Sequence, residues 1–181
     1  MKALIVIDMQ NDFISGALGT KEAQAIVDKV VEKVNSYKPE AVFFTRDTHY
    51  ENYMETQEGK FLPVPHCISR TYGWEVINEL KNTDAYQFEN NWGIKNIIDK
   101  ISFGYSQWAE SLIQRGLPIT EIELVGVCTD ICVISNALIL KALFHELPIT
   151  VDASCCAGVT PEKHVAALEV MKSCQINVIG E

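Results

Sequence analysis

The chain has no run approaching the roughly 18 consecutive apolar residues that a membrane-spanning helix needs. It is also short of basic residues, with 15 Lys and Arg against 24 Asp and Glu, a formal net charge of -9. Both shortages argue against a membrane protein and against nucleic acid or an anionic lipid surface as the main partner, since those partners are met by clustered cations. The opening Met1–Asp8 has an apolar stretch too short for a signal peptide, and it ends in a carboxylate. None of the six cysteines falls in a paired zinc-type spacing: Cys128 and Cys132 are four apart, and Cys155 and Cys156 are adjacent. Without a secretion signal they read as reduced thiols of a cytoplasmic protein. No Gly-x-Gly-x-x-Gly, phosphate loop, internal repeat or low-complexity tract is present, so a nucleotide-binding fold lacks its main support.

What is there is a 181-residue chain with 48% apolar residues, enough for one domain over 1–181 with a sizeable core. The apolar content permits a homo-oligomer. Apolar runs suited to buried strands cover Lys2–Ile7, 41–45, 96–98 (reaching Asp99-Lys100), 121–127, 148–151 (ending at Asp152) and Ile176–Ile179. Between them lie helical patterns. Ala23, Ile26, Val27, Val30, Val31 and Val34 form one stripe, 74–81 is a short helix, and Ser106 caps a helix ending at Gly116. A longer helix covers 130–146, and Thr160-Pro161-Glu162 begins the last. Ala85–Phe88 reads as a short strand or loop. Alternation of strand and helix predicts an α/β domain with a parallel sheet, whose ligands bind beyond the carboxyl ends of the strands. Asp8, Asp47, Lys100 and Cys128–Cys132 all fall at or just past such ends.

The turn Gly126-Val-Cys-Thr-Asp-Ile-Cys132 is the candidate centre. With Thr129 as N-cap, Cys132 falls near the third helical position, where free N–H groups and the helix dipole favour thiolate. Attack on an amide needs a nucleophile, a proton acceptor and donors for the oxyanion. Cys132 supplies the first and Asp8 the second, while Lys100 holds charge and geometry. The backbone N–H groups of Cys128 and Cys132 are the oxyanion donors. Lys95 competes for the role of Lys100, and Asp152 is read as structural. A second constellation lies in the long polar segment 47–66: Asp47, His49, a later Glu and His66. Mixed nitrogen and oxygen ligation suits zinc, and also manganese or iron.

These stretches resemble the isochorismatase-like cysteine hydrolases, and within them the nicotinamidases, from Leu4 to about Asp152. Leu4-Ile-Val-Ile-Asp8-Met-Gln-Asn-Asp-Phe13 is similar to the first family motif, Ile98-Asp-Lys100 to the lysine motif, and Gly126–Val133 to the nucleophile motif. The resemblance implies a three-layer α-β-α fold with a mainly parallel, six-stranded sheet. It also implies the triad Asp8, Lys100 and Cys132, and a cis peptide bond at Val127–Cys128. Thr45-Arg-Asp47-Thr-His49 and Pro63-Val-Pro-His66-Cys resemble metal-binding segments, implying a divalent metal, zinc first, on Asp47, His49, His66 and Glu58, with Glu55 the runner-up. The implied reaction converts nicotinamide and water to nicotinate and ammonia through a Cys thioester, a step of NAD salvage. The alternative is another small amide, carbamoyl or ureido compound. Phe13 is implied as one wall of the substrate site. Leu62-Pro63-Val64-Pro65-His66 lacks the aromatic residue that often precedes this segment, so Phe61 or Phe103 is assigned the ring-stacking place.

Overall fold

The run Lys2–Ile7 forms strand β1, and its alternate side chains enter two different cores. Ala3, Ile5 and Ile7 face one; Leu4 and Val6 face the other. Side chains alternate across a strand, so an unbroken apolar run is stable only when both faces are covered. The computed structural model describes residues 1–91 and 93–181. The further strands are β2 (Val42–Asp47), β3 (Ile97–Lys100), β4 (Glu121–Val127), β5 (Ile149–Ala157) and β6 (Asn177–Ile179). They form one six-stranded sheet in the order β3-β2-β1-β4-β5-β6, every neighbouring pair parallel. The α/β class and the six-strand count agree with the sequence reading, and among the described strands no antiparallel pair occurs.

The helices are α1 (Asn11–Ile14), α2 (Lys21–Ala25), α3 (Val27–Asn35), α4 (Gln57–Phe61), α5 (Asn78–Lys81), α6 (Asp84–Gln87), α7 (Trp108–Gln114), α8 (Ile134–Leu143) and α9 (Pro161–Ser173). Val30 and Val34 of α3, Leu80 of α5 and Ala85 of α6 pack with Leu4 and Val6. Trp108 and Leu112 of α7, Ala137 and Leu140 of α8, and Leu168 and Met171 of α9 pack with Ile5 and Ile7. The sheet is thus the middle of three layers.

Several local expectations change. The stripe from Ala23 to Val34 is two helices, interrupted at Ile26. The helix expected over 74–81 contracts to α5, because Trp74 is held elsewhere: its carbonyl accepts from Gln10 and its indole donates to Thr48. Ala85–Phe88 lies largely in α6, where Thr83 caps the helix by accepting from Tyr86 N. Ser106 does not cap α7, which starts after Gln107 without a side-chain cap. Strand β5 runs past Asp152 to Ala157, since both its faces are buried there.

Asp152 has the structural role expected of it. Lys33 Nζ reaches Asp152 Oδ2 at 2.7 Å and Glu123 Oε1 at 2.8 Å, while Lys2 and Tyr37 also contact Glu123. Glu123 is almost fully buried in β4. Burial opposes its ionisation, but bonds from Lys2, Lys33 and Tyr37 hold its carboxyl below the ordinary range, and Lys33 and Ser154 do the same for Asp152. Folded-state values below the unfolded ones stabilise the fold above the unfolded carboxylate range, about pH 4. That stabilisation is lost as pH falls through the folded values. Replacing Lys33 by Met leaves Glu123 without one of its cations and should destabilise the protein by about 3 kcal/mol. Urea unfolding at neutral pH measures the loss, and the same titration between pH 6 and 3 should show a flatter acid dependence in the variant than in the wild type.

Candidate active site

Three strand ends meet at one point because the sheet is parallel. Asp47 and Lys100, the last residues of β2 and β3, are register partners. Asp8 follows β1, the next strand in the sheet. Asp8 adopts φ 48°, which turns the chain immediately, and Gln10 N donates to its carbonyl at 2.7 Å. Asp and Asn visit this left-handed region more readily than most side chains. On the other flank, Gly126 has φ 117°, and a Cβ there would collide with the Ile7 carbonyl. Glycine lets β4 lie close against β1 one turn before the nucleophile candidate. The Val127–Cys128 peptide is cis, as the resemblance implies.

Lys100 Nζ lies 2.7 Å from Asp8 Oδ2, 3.3 Å from Asp47 Oδ1, 3.1 Å from the Ser102 carbonyl and 3.6 Å from Cys132 Sγ. Thr45 Oγ1 donates to Asp8 Oδ1 at 2.6 Å and accepts from Asp8 N. The ion pair to Asp8 Oδ2 lacks hydrogen-bond alignment, so this oxygen keeps accepting capacity inside the site. Lys95 is not here; it pairs with Glu89 at the surface.

The surroundings of the thiol work against the thiolate that its sequence position favours. Burial pushes Cys132 well above the ordinary thiol range, the negative charges of Asp8 and Asp47 add to this, and Lys100 only partly opposes them. Burial likewise raises Asp8 against the pull of Lys100. Burial disfavours the charge on Lys100, yet Asp8, Cys132 and Asp47 together hold it above the usual lysine value. Burial and the two carboxylates thus oppose the thiolate while Lys100 favours it, and the carboxyl of Asp8 has a raised proton affinity. Thr129 does not cap the helix either: its hydroxyl bonds His164 Nδ1 at 2.8 Å. The first turn, Thr129–Val133, is a π turn, with Val133 N and Ile131 N both donating to the Cys128 carbonyl. The helix terminus therefore differs from the one that motivated the thiolate reading. Cys128 is partly buried, and desolvation raises its thiol to about 12, which argues against a second reactive thiol.

The segment after β2 brings four candidate ligands together. Ligand atoms of Asp47, His49, Glu58 and His66 all lie within 4.8 Å of one another. His49 Nε2 is 2.9 Å from Asp47 Oδ2 and 3.6 Å from Glu58 Oε1, and His66 Nε2 is 3.7 and 3.8 Å from the same oxygens. A tetrahedral ion with bonds of about 2.0–2.1 Å has edges of roughly 3.3 Å, which these separations bracket. His66 Nδ1 donates to the Val64 carbonyl at 2.8 Å, presenting the Nε2 lone pair to the cluster. Charge balance points the same way. Asp8, Asp47 and Glu58 carry three negative charges against the single ammonium of Lys100, and a divalent cation would cancel the excess. The residues fit a zinc-type metal. Glu55 is exposed and outside the cluster.

A cavity of about 290 Å³ opens onto both groups. Cys132, Cys128, Asp47, Glu58 and His66 line it together with Phe13, Leu62, Phe103 and Ile131. Phe13 also packs on the His66 ring at 5.5 Å. Phe61 is a correction: at 84% exposure it points away from the cavity, because α4 turns the next residue, Leu62, inward. Phe103 lines the cavity while remaining half exposed.

Sequence reasoning missed the supports. Gln10 clamps Asp47 through both of its amide atoms, donating to the Asp47 carbonyl and accepting from Asp47 N. Tyr53, fully buried in the polar segment, sets its ring against both His49 and His66. Gln10 sits inside the first motif, which was a usable signal; Tyr53 had none.

The isochorismatase domain description matches residues 2–180. The nicotinamidase/pyrazinamidase of Mycobacterium tuberculosis is 28% identical over 190 residues, an alignment spanning 99% of this chain and 98% of that protein. The crystal structure of the Pyrococcus horikoshii pyrazinamidase in complex with zinc is 31% identical, with a TM-score of 0.78 over 99% of both chains. The Bacillus subtilis nicotinamidase/pyrazinamidase structure is 30% identical, with a TM-score of 0.81 over 98% of both.

The ligand cluster makes a direct prediction. His66→Ala should weaken zinc binding by more than the roughly 10–100-fold that follows loss of an outer-sphere partner. Glu55→Ala should leave it unchanged. Metal content after dialysis against a graded chelator series reads both.

Proposed function

The chain belongs to the isochorismatase family, and within it we propose that it is a metal-dependent cysteine amidohydrolase that converts nicotinamide and water to nicotinate and ammonia. The observation that carries this reading is one cavity lined by Cys132 and by three members of the four-ligand cluster, Asp47, Glu58 and His66, with Asp47 also facing Lys100. The named activities of the relatives support the substrate, and zinc in the Pyrococcus horikoshii structure supports the choice of metal.

The chemistry assigned to these residues follows from their charges. Cys132 Sγ attacks the amide carbon, and its proton passes to the Asp8 carboxylate, whose burial raises its proton affinity. The oxyanion is held by the backbone N–H groups of Cys128 and Cys132, with Lys100 near enough to Sγ to stabilise charge there. The carbon–nitrogen bond breaks as Asp8 returns the proton to the departing nitrogen, releasing ammonia and leaving a thioester on Cys132. Asp8 then takes a proton from water, whose oxygen attacks the thioester. Sγ leaves and recovers that proton, and nicotinate departs. When bound, the divalent cation supplies a Lewis-acidic position for the pyridine nitrogen. Phe13, Leu62 and Phe103 hold the ring. The reading extends to a cytoplasmic enzyme that feeds NAD salvage, in keeping with six free cysteines and with no helix among the described residues long and apolar enough to cross a membrane.

Ammonia release from nicotinamide, with and without chelator, tests the whole. Release that is lost on chelation and restored by zinc supports the reading; release only from other small amides would replace the substrate. Cys132→Ala should abolish turnover, and Asp8→Asn should lower kcat by about 10²–10⁴-fold while thermal stability is retained.

A further inference from the structure

One fully buried carboxamide beside the nucleophile has no role in the chemistry above. Asn136 lies in α8 one turn after Cys132, and all its hydrogen-bonding capacity is used. Nδ2 donates to the Cys132 carbonyl at 2.7 Å and to the Phe103 carbonyl at 3.1 Å. Oδ1 accepts from Tyr105 N at 3.0 Å and from Trp108 Nε1 at 2.9 Å. Two carbonyls need donors and two N–H groups need an acceptor, so the amide orientation is dictated by its neighbours.

The partners are what matter. One is the nucleophile's own carbonyl. Two belong to the loop that leaves β3 after Lys100, and this loop also supplies the Ser102 carbonyl at 3.1 Å from Lys100 Nζ and the cavity-lining Phe103. The loop lies directly on α8, since a Cβ at Gly104 would strike Ile139. We propose that Asn136 is a positioning residue that locks the Cys132 turn to the Lys100–Tyr105 loop, and so sets the nucleophile-to-lysine separation. The inference rests on the amidohydrolase reading for its kinetic consequence, and on geometry alone for the placement of Cys132.

Only a carboxamide of this length satisfies all four groups. In Asn136→Asp the two donors become an acceptor facing two carbonyls. Asn136→Ser keeps one bond to the Cys132 carbonyl, the residue four earlier in the helix, and drops the loop. A displacement near 1 Å at a reacting atom costs about 100-fold. Both variants should therefore keep zinc content and show a KM near that of the wild type, with kcat per folded chain reduced about 10- to 100-fold. The rate of Cys132 carboxamidomethylation by iodoacetamide, followed by peptide mass spectrometry, should fall at least about 3-fold as the thiol moves from Lys100. Unchanged kcat per folded chain together with an unchanged alkylation rate would overturn the proposal and leave Asn136 a packing residue. Should the Asn136 variants not fold, Trp108→Phe carries the test by releasing one bond to Oδ1: lowered kcat at constant KM supports the clamp, and unaltered kcat refutes it. If the wild type releases no ammonia from nicotinamide, the functional reading fails while the alkylation rates still decide the role of Asn136.

Discussion

A buried ammonium must be neutralised where it stands, and the Lys100 side chain is 1% exposed. Its neighbours are two carboxylates, one carbonyl and the Cys132 sulfur. Removing any of the carboxylates would strand a charge in the interior. Asp47 is the decisive one because it is used twice. Oδ1 faces Lys100 at 3.3 Å, and Oδ2 faces His49 at 2.9 Å. Burial opposes its ionisation, but the two imidazoles and Lys100 hold its carboxyl far below the ordinary range. The reactive group and the ligand cluster consequently form one electrostatic unit rather than two adjoining sites.

The fold supplies that unit through parallel strands that all end on one side. Lys100, Asp47 and Asp8 terminate or follow three successive strands of the sheet, and Asp47 and Lys100 are paired in register. No long loop has to search for the catalytic geometry. The polar segment between β2 and His66 is fastened from inside by Tyr53, whose hydroxyl donates to the Leu62 carbonyl at 2.8 Å. It is also fastened from outside by Asp12, which accepts from Cys67 N. A polar segment of this kind is ordered because its buried groups are paired, not because it is apolar.

Much of the site was legible because strand ends are visible in sequence. An apolar run that ends in charge marks the edge of a parallel sheet: Asp8 follows its run directly, and Asp47 and Lys100 follow theirs behind Arg46 and Asp99. Asp47, His49 and His66 stood out by residue type within one polar segment, whereas Glu58 was only preferred to Glu55 by resemblance and the cluster geometry separated them. The supports were not legible. Asn136 sits in a mostly apolar helix, where its partners in the Phe103–Trp108 stretch are remote in the chain, and Tyr53 looks like any loop aromatic. Phe61 and Leu62 are neighbours, and the chain leaves the helix at Leu62, so the end of α4 decides which of them faces the cavity.

The sequence by itself determined the order of strands and helices, the two-sided burial of β1 and the residue types placed at the active edge. These depend on periodicity and on neighbours a few positions away. Tertiary structure alone decided the electrostatic surroundings of Cys132. Position at a helix start argues for thiolate, but the sulfur lies buried beside the charges of Asp8 and Asp47, from other strands, and they outweigh Lys100. Proton affinity depends on burial and on distances between residues remote in the chain, and neither is a local property of the motif.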